Sequence, residues 1–206
     1  AHHAQICIGG HNVCLNNLVI RGAPDMKQAV LIFGTGTVLM QGCCVEGRCG
    51  ETASAAVRVE DSGSRLTAHS CQVNNSRGKG LVVKDGSTAT LQACSVSGSQ
   101  WSNVFALHGA TVVLQDCQSE CSSSSYGLFV SGQGSFATAH TSSFSSNLFN
   151  GVRVDCGGKL LLRDCMCNGN RNGAGLTVFD SGSSATAYSC SLSSNKCDGA
   201  VVRDGT

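Results

Sequence analysis

One unit of about 24 residues recurs along the whole chain, a period that marks a solenoid, and nothing else in the sequence narrows the fold as far. The segments AVLIFGTGTVLMQGCCV, AVRVEDSGSRLTAHSCQV, LVVKDGSTATLQACSV, VFALHGATVVLQDCQS, LFVSGQGSFATAHTSSF, VRVDCGGKLLLRDCMC and LTVFDSGSSATAYSCSL align without forcing. Their leading apolar residues are Val30, Val57, Leu81, Val104, Leu128, Val152 and Leu176, followed by Ala200, so the spacing is regular apart from a longer first step. A unit this short cannot enclose a core by itself and must bury its apolar face against its neighbours.

Within a unit the apolar residues alternate. Leu81 and Val83 precede a glycine turn, Ala89 and Leu91 follow it, and a kink leads to Cys94 and Val96. Period-two alternation specifies short strands rather than helices. Each unit then supplies three strands and three bends, and each strand pairs with its equivalent one repeat later, about 4.8 Å away. The expected fold is all-β: a parallel β-helix of about eight coils, right-handed because parallel crossovers favour that hand. Over the seven units from Val30 to Leu192, only Ser119 and Ser142 among the inward columns are neither apolar nor Cys. Residues 1–206 read as a single β-helix domain. Its last residues, GAVVRDGT, repeat an opening strand and turn, and its first ones resemble a late half-coil ending in Leu15, Leu18 and Ile20. Both ends are expected to be uncapped. The chain therefore reads as a segment of a longer protein, with neighbouring domains or a partner chain over the exposed edges.

Composition agrees. Four Glu, five Lys and 28 Ser leave little material for helix surfaces, while 41% hydrophobic residues suffice for a core. No apolar run approaches the roughly 18 residues of a membrane-spanning helix. A net charge of +1 creates no long-range field, so neither nucleic acid nor membrane is expected as a partner.

The unit G-L-x-V-x-D-G-S-x-A-x-L-x-x-C-x-V, as in residues 80–96, resembles the repeat of right-handed parallel β-helix proteins, the pectate-lyase-like superfamily. That resemblance spans essentially the whole chain and implies the architecture. It leaves function open among polysaccharide lyases and hydrolases, epimerases, phage adhesins and intracellular β-helices attached to F-box proteins. Where such repeats often carry Asn at the second bend, this chain reads Cys43, Cys71, Cys94, Cys117, Ser142, Cys165 and Cys190. Buried thiols are small, inert core groups. A run of unpaired ones survives best in a reducing compartment, so an intracellular, cytoplasmic setting is expected. Cys49, Cys121 and Cys197 fall in loops of separate coils, and His69 and His140 lie three coils apart, so no metal or other cofactor is expected.

The resemblance implies that any polysaccharide chemistry would sit on the outer face of the first strand. Only Glu60 and Asp155 place carboxylates there, about 19 Å apart at the strand spacing, too far for an acid–base pair. Asp61, Asp85 and His108 align at the following turn on three successive coils and are weak catalytic candidates, although Asp-Gly and Asp-Ser-Gly are ordinary turn chemistry. The stronger signal is aromatic. Trp101, Phe105, Tyr126, Phe129 and Phe149 gather on one side of three coils, bordered by Arg58, Lys84 and Arg153. An exposed apolar anchor with a charged rim is the makeup of a recognition site. The leading expectation is a non-catalytic interaction or scaffold module, similar in use to the F-box-associated branch, with a protein partner or other domains of the same protein on that face. The alternative is a carbohydrate-binding or carbohydrate-active β-helix with a glycan there.

Overall fold

The computed structural model describes residues 4–48, 54–74 and 76–204, which form strands, turns and bends with no helix among them. Cys49, His2 and His3 lie outside the described residues. Three parallel sheets run along the solenoid. The first has nine strands from Ala4–Gly9 to Ala200–Arg203, and the second has eight from Asn12–Asn16 to Ser184–Tyr188. The third has five, from Val19–Arg21 to Gln118–Glu120, and continues as single bridges through Ser143, Met166 and Ser191. Pairing is in register, so Leu81 lies between Val57 and Val104 and every sequence column becomes a physical stack.

The inward columns are the core. Val30, Val57, Leu81, Val104, Leu128 and Val152 are all essentially inaccessible, and so are Cys43, Cys71, Cys94, Cys117 and Cys165. The two polar exceptions are buried and satisfied. Ser119 Oγ donates to Gly127 O at 2.7 Å, and Ser142 Oγ donates to His140 O at 2.9 Å while accepting the Cys117 N–H at 3.1 Å. Ser142 thus does with oxygen what its neighbours do with sulfur: Cys94 Sγ donates to Gln92 O and accepts the Cys71 N–H. None of the thirteen described cysteines is disulfide-bonded.

The D-G-S motif explains the bend after each first-sheet strand. Asp61, Asp85, His108, Cys156, Asp180 and Asp204 all have φ between 51° and 71°, a left-handed conformation that Asp tolerates better than most residues. The serine closes the bend, as Ser87 Oγ does by accepting the Lys84 N–H and sharing its one proton between Val59 O and Lys84 O. At the third bend a different device appears. Asn147, Asn170 and Asn195 stack, the Oδ1 of each accepting the backbone N–H of Ser122, Asn147 and Asn170 respectively at 3.0 Å. These are the coils in which the third sheet shrinks to single bridges, so side-chain amides replace missing ladder bonds. Each asparagine also crowds the strand entrance of the preceding coil, where a Cβ on Gly127, Gly151 or Gly175 would meet backbone carbonyls, and also the Nδ2 of Asn147, Asn170 or Asn195 respectively at 2.8–2.9 Å. Where the stack ends at Ser122 and Ser99, Asn103 takes the glycine's place and fills the gap, its Nδ2 donating to Glu120 O and its Oδ1 accepting the Ser99 N–H.

Candidate recognition site

The outer face of the first sheet divides into two regions. Toward the N-terminus it is a self-neutralised row of charges. Lys84 Nζ lies 3.2 Å from Glu60 and 2.7 Å from Asp85, Arg58 lies 3.7 Å from Glu60, and His108 Nδ1 lies 3.2 Å from Asp85 Oδ1. The Lys84 ammonium holds the Asp85 carboxyl below the usual range. Partial burial works against the Lys84 charge, yet hydrogen bonds to Asp85 and Glu60 outweigh it and raise its pKa. Asp61 stands outside this row, its Oδ2 accepting the Gly34 N–H of the preceding coil at 3.0 Å. The aligned Asp61, Asp85 and His108 are therefore three left-handed turn residues with separate bonding duties, of which Asp85 and His108 touch.

Further along, the face is aromatic. Phe105 and Phe129 meet edge to face with centroids 4.8 Å apart, and Tyr126 reaches Phe129 at 5.5 Å and Phe149 at 6.3 Å. Arg153 ties the rings together. Its guanidinium lies 5.6 Å from the Tyr126 ring, 5.8 Å from Phe129 and 4.7 Å from Phe179, while NH1 donates to the Tyr126 hydroxyl at 3.2 Å and Nε to Asp155 Oδ2 at 3.0 Å. Lys79 caps the other end, 5.3 Å from the Phe105 ring. Between the rings and the next coils runs an open groove of about 360 Å³, whose walls include Tyr126, Phe149, Arg153, Phe179, Asp198 and Arg203.

The structure thus joins Phe105, Tyr126, Phe129, Phe149 and Arg153, and leaves Trp101 apart. Trp101 is 41% exposed, as is Phe149, and makes no ring contact with the cluster among the described residues. Arg58 and Lys84 belong to the charged row rather than to the groove rim. Phe105 and Phe129, expected as freely exposed anchors, are half-buried because neighbouring rings and cations cover them. Phe179 and Arg203 were not singled out by the sequence; they pair in an outward column two residues along the strand from that of Phe105, Phe129 and Arg153. Asp155 also departs from expectation. It lies on the outer face yet is only 5% exposed, and its Oδ1 has no hydrogen-bond partner. One of its carboxylate oxygens, Cys156 Sγ and an Asp180 carboxylate oxygen lie within 4.8 Å of one another.

A family model described as the right handed beta helix region matches residues 2–119 and again 53–206. No curated protein matches the chain. Among solved structures, that of a TibC-catalysed hyper-glycosylated TibA fragment is similar at 12% identity over 92% of this chain and 99% of that one, with a TM-score of 0.20.

Proposed function

Because the chain belongs to the right-handed β-helix region family, in which the coil is a scaffold and activity resides in the side chains mounted on it, we propose that it is a non-catalytic recognition module holding a protein segment in the aromatic groove. The ring-lined groove gathered around Arg153 carries this reading. Arg153 and Phe179 in its walls stand on sheet strands paired on both sides, so part of the groove is ordered before binding. Arg153 is occupied by Asp155 and the Tyr126 hydroxyl. Arg203 pairs with no carboxylate among the described residues and stacks 6.0 Å from the Phe179 ring. The fitting ligand is a segment with an apolar or aromatic side chain beside an acidic one.

A further observation supports binding over acid–base chemistry. Glu60 is engaged by Arg58 and Lys84 and Asp155 by Arg153, and four strand steps separate them. The unpaired core thiols favour a reducing, intracellular setting for such a module. The second reading, glycan binding, rests on the amides of Asn150 and Asn172 and the carboxylate of Asp198 beside the rings.

Selecting peptides from a displayed random library on the whole chain, alongside a glycan array, tests both readings. Selected peptides should combine acidic and apolar residues and bind Phe149→Ala roughly thirtyfold more weakly, the loss of an aromatic hot spot. Arg203→Ala should weaken them too, while circular dichroism stays unchanged because both side chains project from the scaffold. Peptide binding indifferent to both substitutions would overturn the protein-segment reading. Glycan binding that depends on Phe149 would establish the second one.

A further inference from the structure

We propose that Asp155, Cys156 and Asp180 form a binding site for a divalent cation of the zinc class. Cys156 and Asp180 hold the same left-handed turn position on successive coils, since Val154 pairs with Val178 two residues earlier. Their ligand atoms are already spaced for a shared ion. Cys156 Sγ lies 3.6 Å from Asp180 Oδ2. A tetrahedral zinc with a sulfur bond of about 2.3 Å and an oxygen bond of about 2.1 Å separates those atoms by about 3.6 Å.

Asp155 supplies the independent indication. Its side chain is sequestered, Oδ2 is held by Arg153, and Oδ1 is left without a donor. A buried carboxylate oxygen with no partner is costly, and a cation held by the Asp155 carboxylate together with Cys156 and Asp180 would offset that cost. Arg153 would then act as the supporting partner that fixes the carboxylate's orientation. Charge points the same way. Two carboxylates face a single arginine, and no lysine or arginine pairs with Asp180 among the described residues. One sulfur and two oxygens suit zinc or its softer congener cadmium, whereas calcium and magnesium prefer all-oxygen shells and copper(I) prefers sulfur. Cys156 and Asp180 are exposed, which gives the ion an entry path and leaves a fourth position for water.

The proposal does not rest on what the groove binds, although Arg153 borders both sites. The test uses the whole chain, reduced and then freed of reductant, titrated calorimetrically with zinc and spectroscopically with cobalt(II). One ion per chain should bind, with a thiolate-to-cobalt charge-transfer band. Cys156→Ser should abolish that band, and both Cys156→Ser and Asp180→Asn should weaken zinc at least tenfold. Serine and asparagine tolerate the left-handed turn, and unfolding curves in a chelator verify that both variants fold. Cys121→Ser, at an exposed thiol elsewhere, and Phe149→Ala should bind as the parent does. Absence of zinc binding, or binding that survives both site substitutions, would overturn the proposal.

Discussion

Replacing Asn147 by alanine should destabilise the protein by about 3 kcal/mol, the cost of stranding two buried polar groups, although no apolar contact of note is lost. Asn147 is 0% exposed. Its Oδ1 accepts the Ser122 N–H at 3.0 Å and Asn103 Nδ2 at 3.4 Å, and its Nδ2 donates to Ser119 O and Ser145 O, each at 3.2 Å. In the alanine variant Asn103 keeps Glu120 O, and Ser145, which is partly exposed, can turn to water. The Ser122 N–H and Ser119 C=O lose their amide partner inside the coil. Each such group costs about 1–3 kcal/mol, so two give the stated loss even after some relaxation. For a chain of this size that lowers Tm by about 6–12 °C.

Asparagine to aspartate at the same site separates polarity from volume. Oδ1 survives, but the two donors become an oxygen facing two carbonyls, and burial opposes its ionisation. The folded-state pKa is then raised above the unfolded value of about 3.9. The ionisation penalty is absent below the unfolded pKa, grows as pH rises toward the folded one and is complete above it. Asn147→Asp should therefore be worse than Asn147→Ala at pH 7 and recover on acidification, when the protonated acid can donate to Ser119. Thermal and urea unfolding followed by far-ultraviolet circular dichroism read both effects. An alanine cost below about 1 kcal/mol, the least that one stranded buried group should cost, would refute the view that the asparagine stack replaces the third sheet. So would an aspartate cost that ignores pH.

Phe129→Ala should cost about 2 kcal/mol in urea unfolding, between a surface change and the roughly 3–5 kcal/mol of a core phenylalanine. Its ring loses two aromatic contacts and the cation above it. A loss under about 0.5 kcal/mol, the range of an ordinary surface substitution, would mean the rings do not cover the sheet. Denatured protein should titrate with nearly all fourteen cysteines free, whereas in the native state Cys7, Cys14, Cys121, Cys156 and Cys197 should react readily and the ladder slowly. Burial also pushes the Cys167 thiol up and leaves it protonated. Several stable disulfides would undo the compartment argument. Cys94→Asp should be severely destabilising, because a charge enters a packed column without a partner, and wild-type stability there would show the inward register to be wrong.

The residues whose role depends on the unit itself were legible in the sequence. Alternation along a strand and recurrence at a fixed period determine which side chains face inward, because each sheet pairs a residue with its own equivalent. Even Ser119 and Ser142 were placed correctly in the core from column membership alone. The asparagine stack was not foreseen: Asn147, Asn170 and Asn195 lie in a bend with no apolar period to mark it, and the glycines they crowd belong to the preceding coil. Nor was the reach of Arg153, which contacts Tyr126 of the previous coil and Phe179 of the next. Asp155, Cys156 and Asp180 likewise meet only after stacking, with the column interrupted by Gly132 just before. Columns are set by backbone register, which a period encodes. Sites between coils are set by side-chain length and rotamer across a spacing of about 4.8 Å, and only the assembled solenoid decides which atoms close that distance.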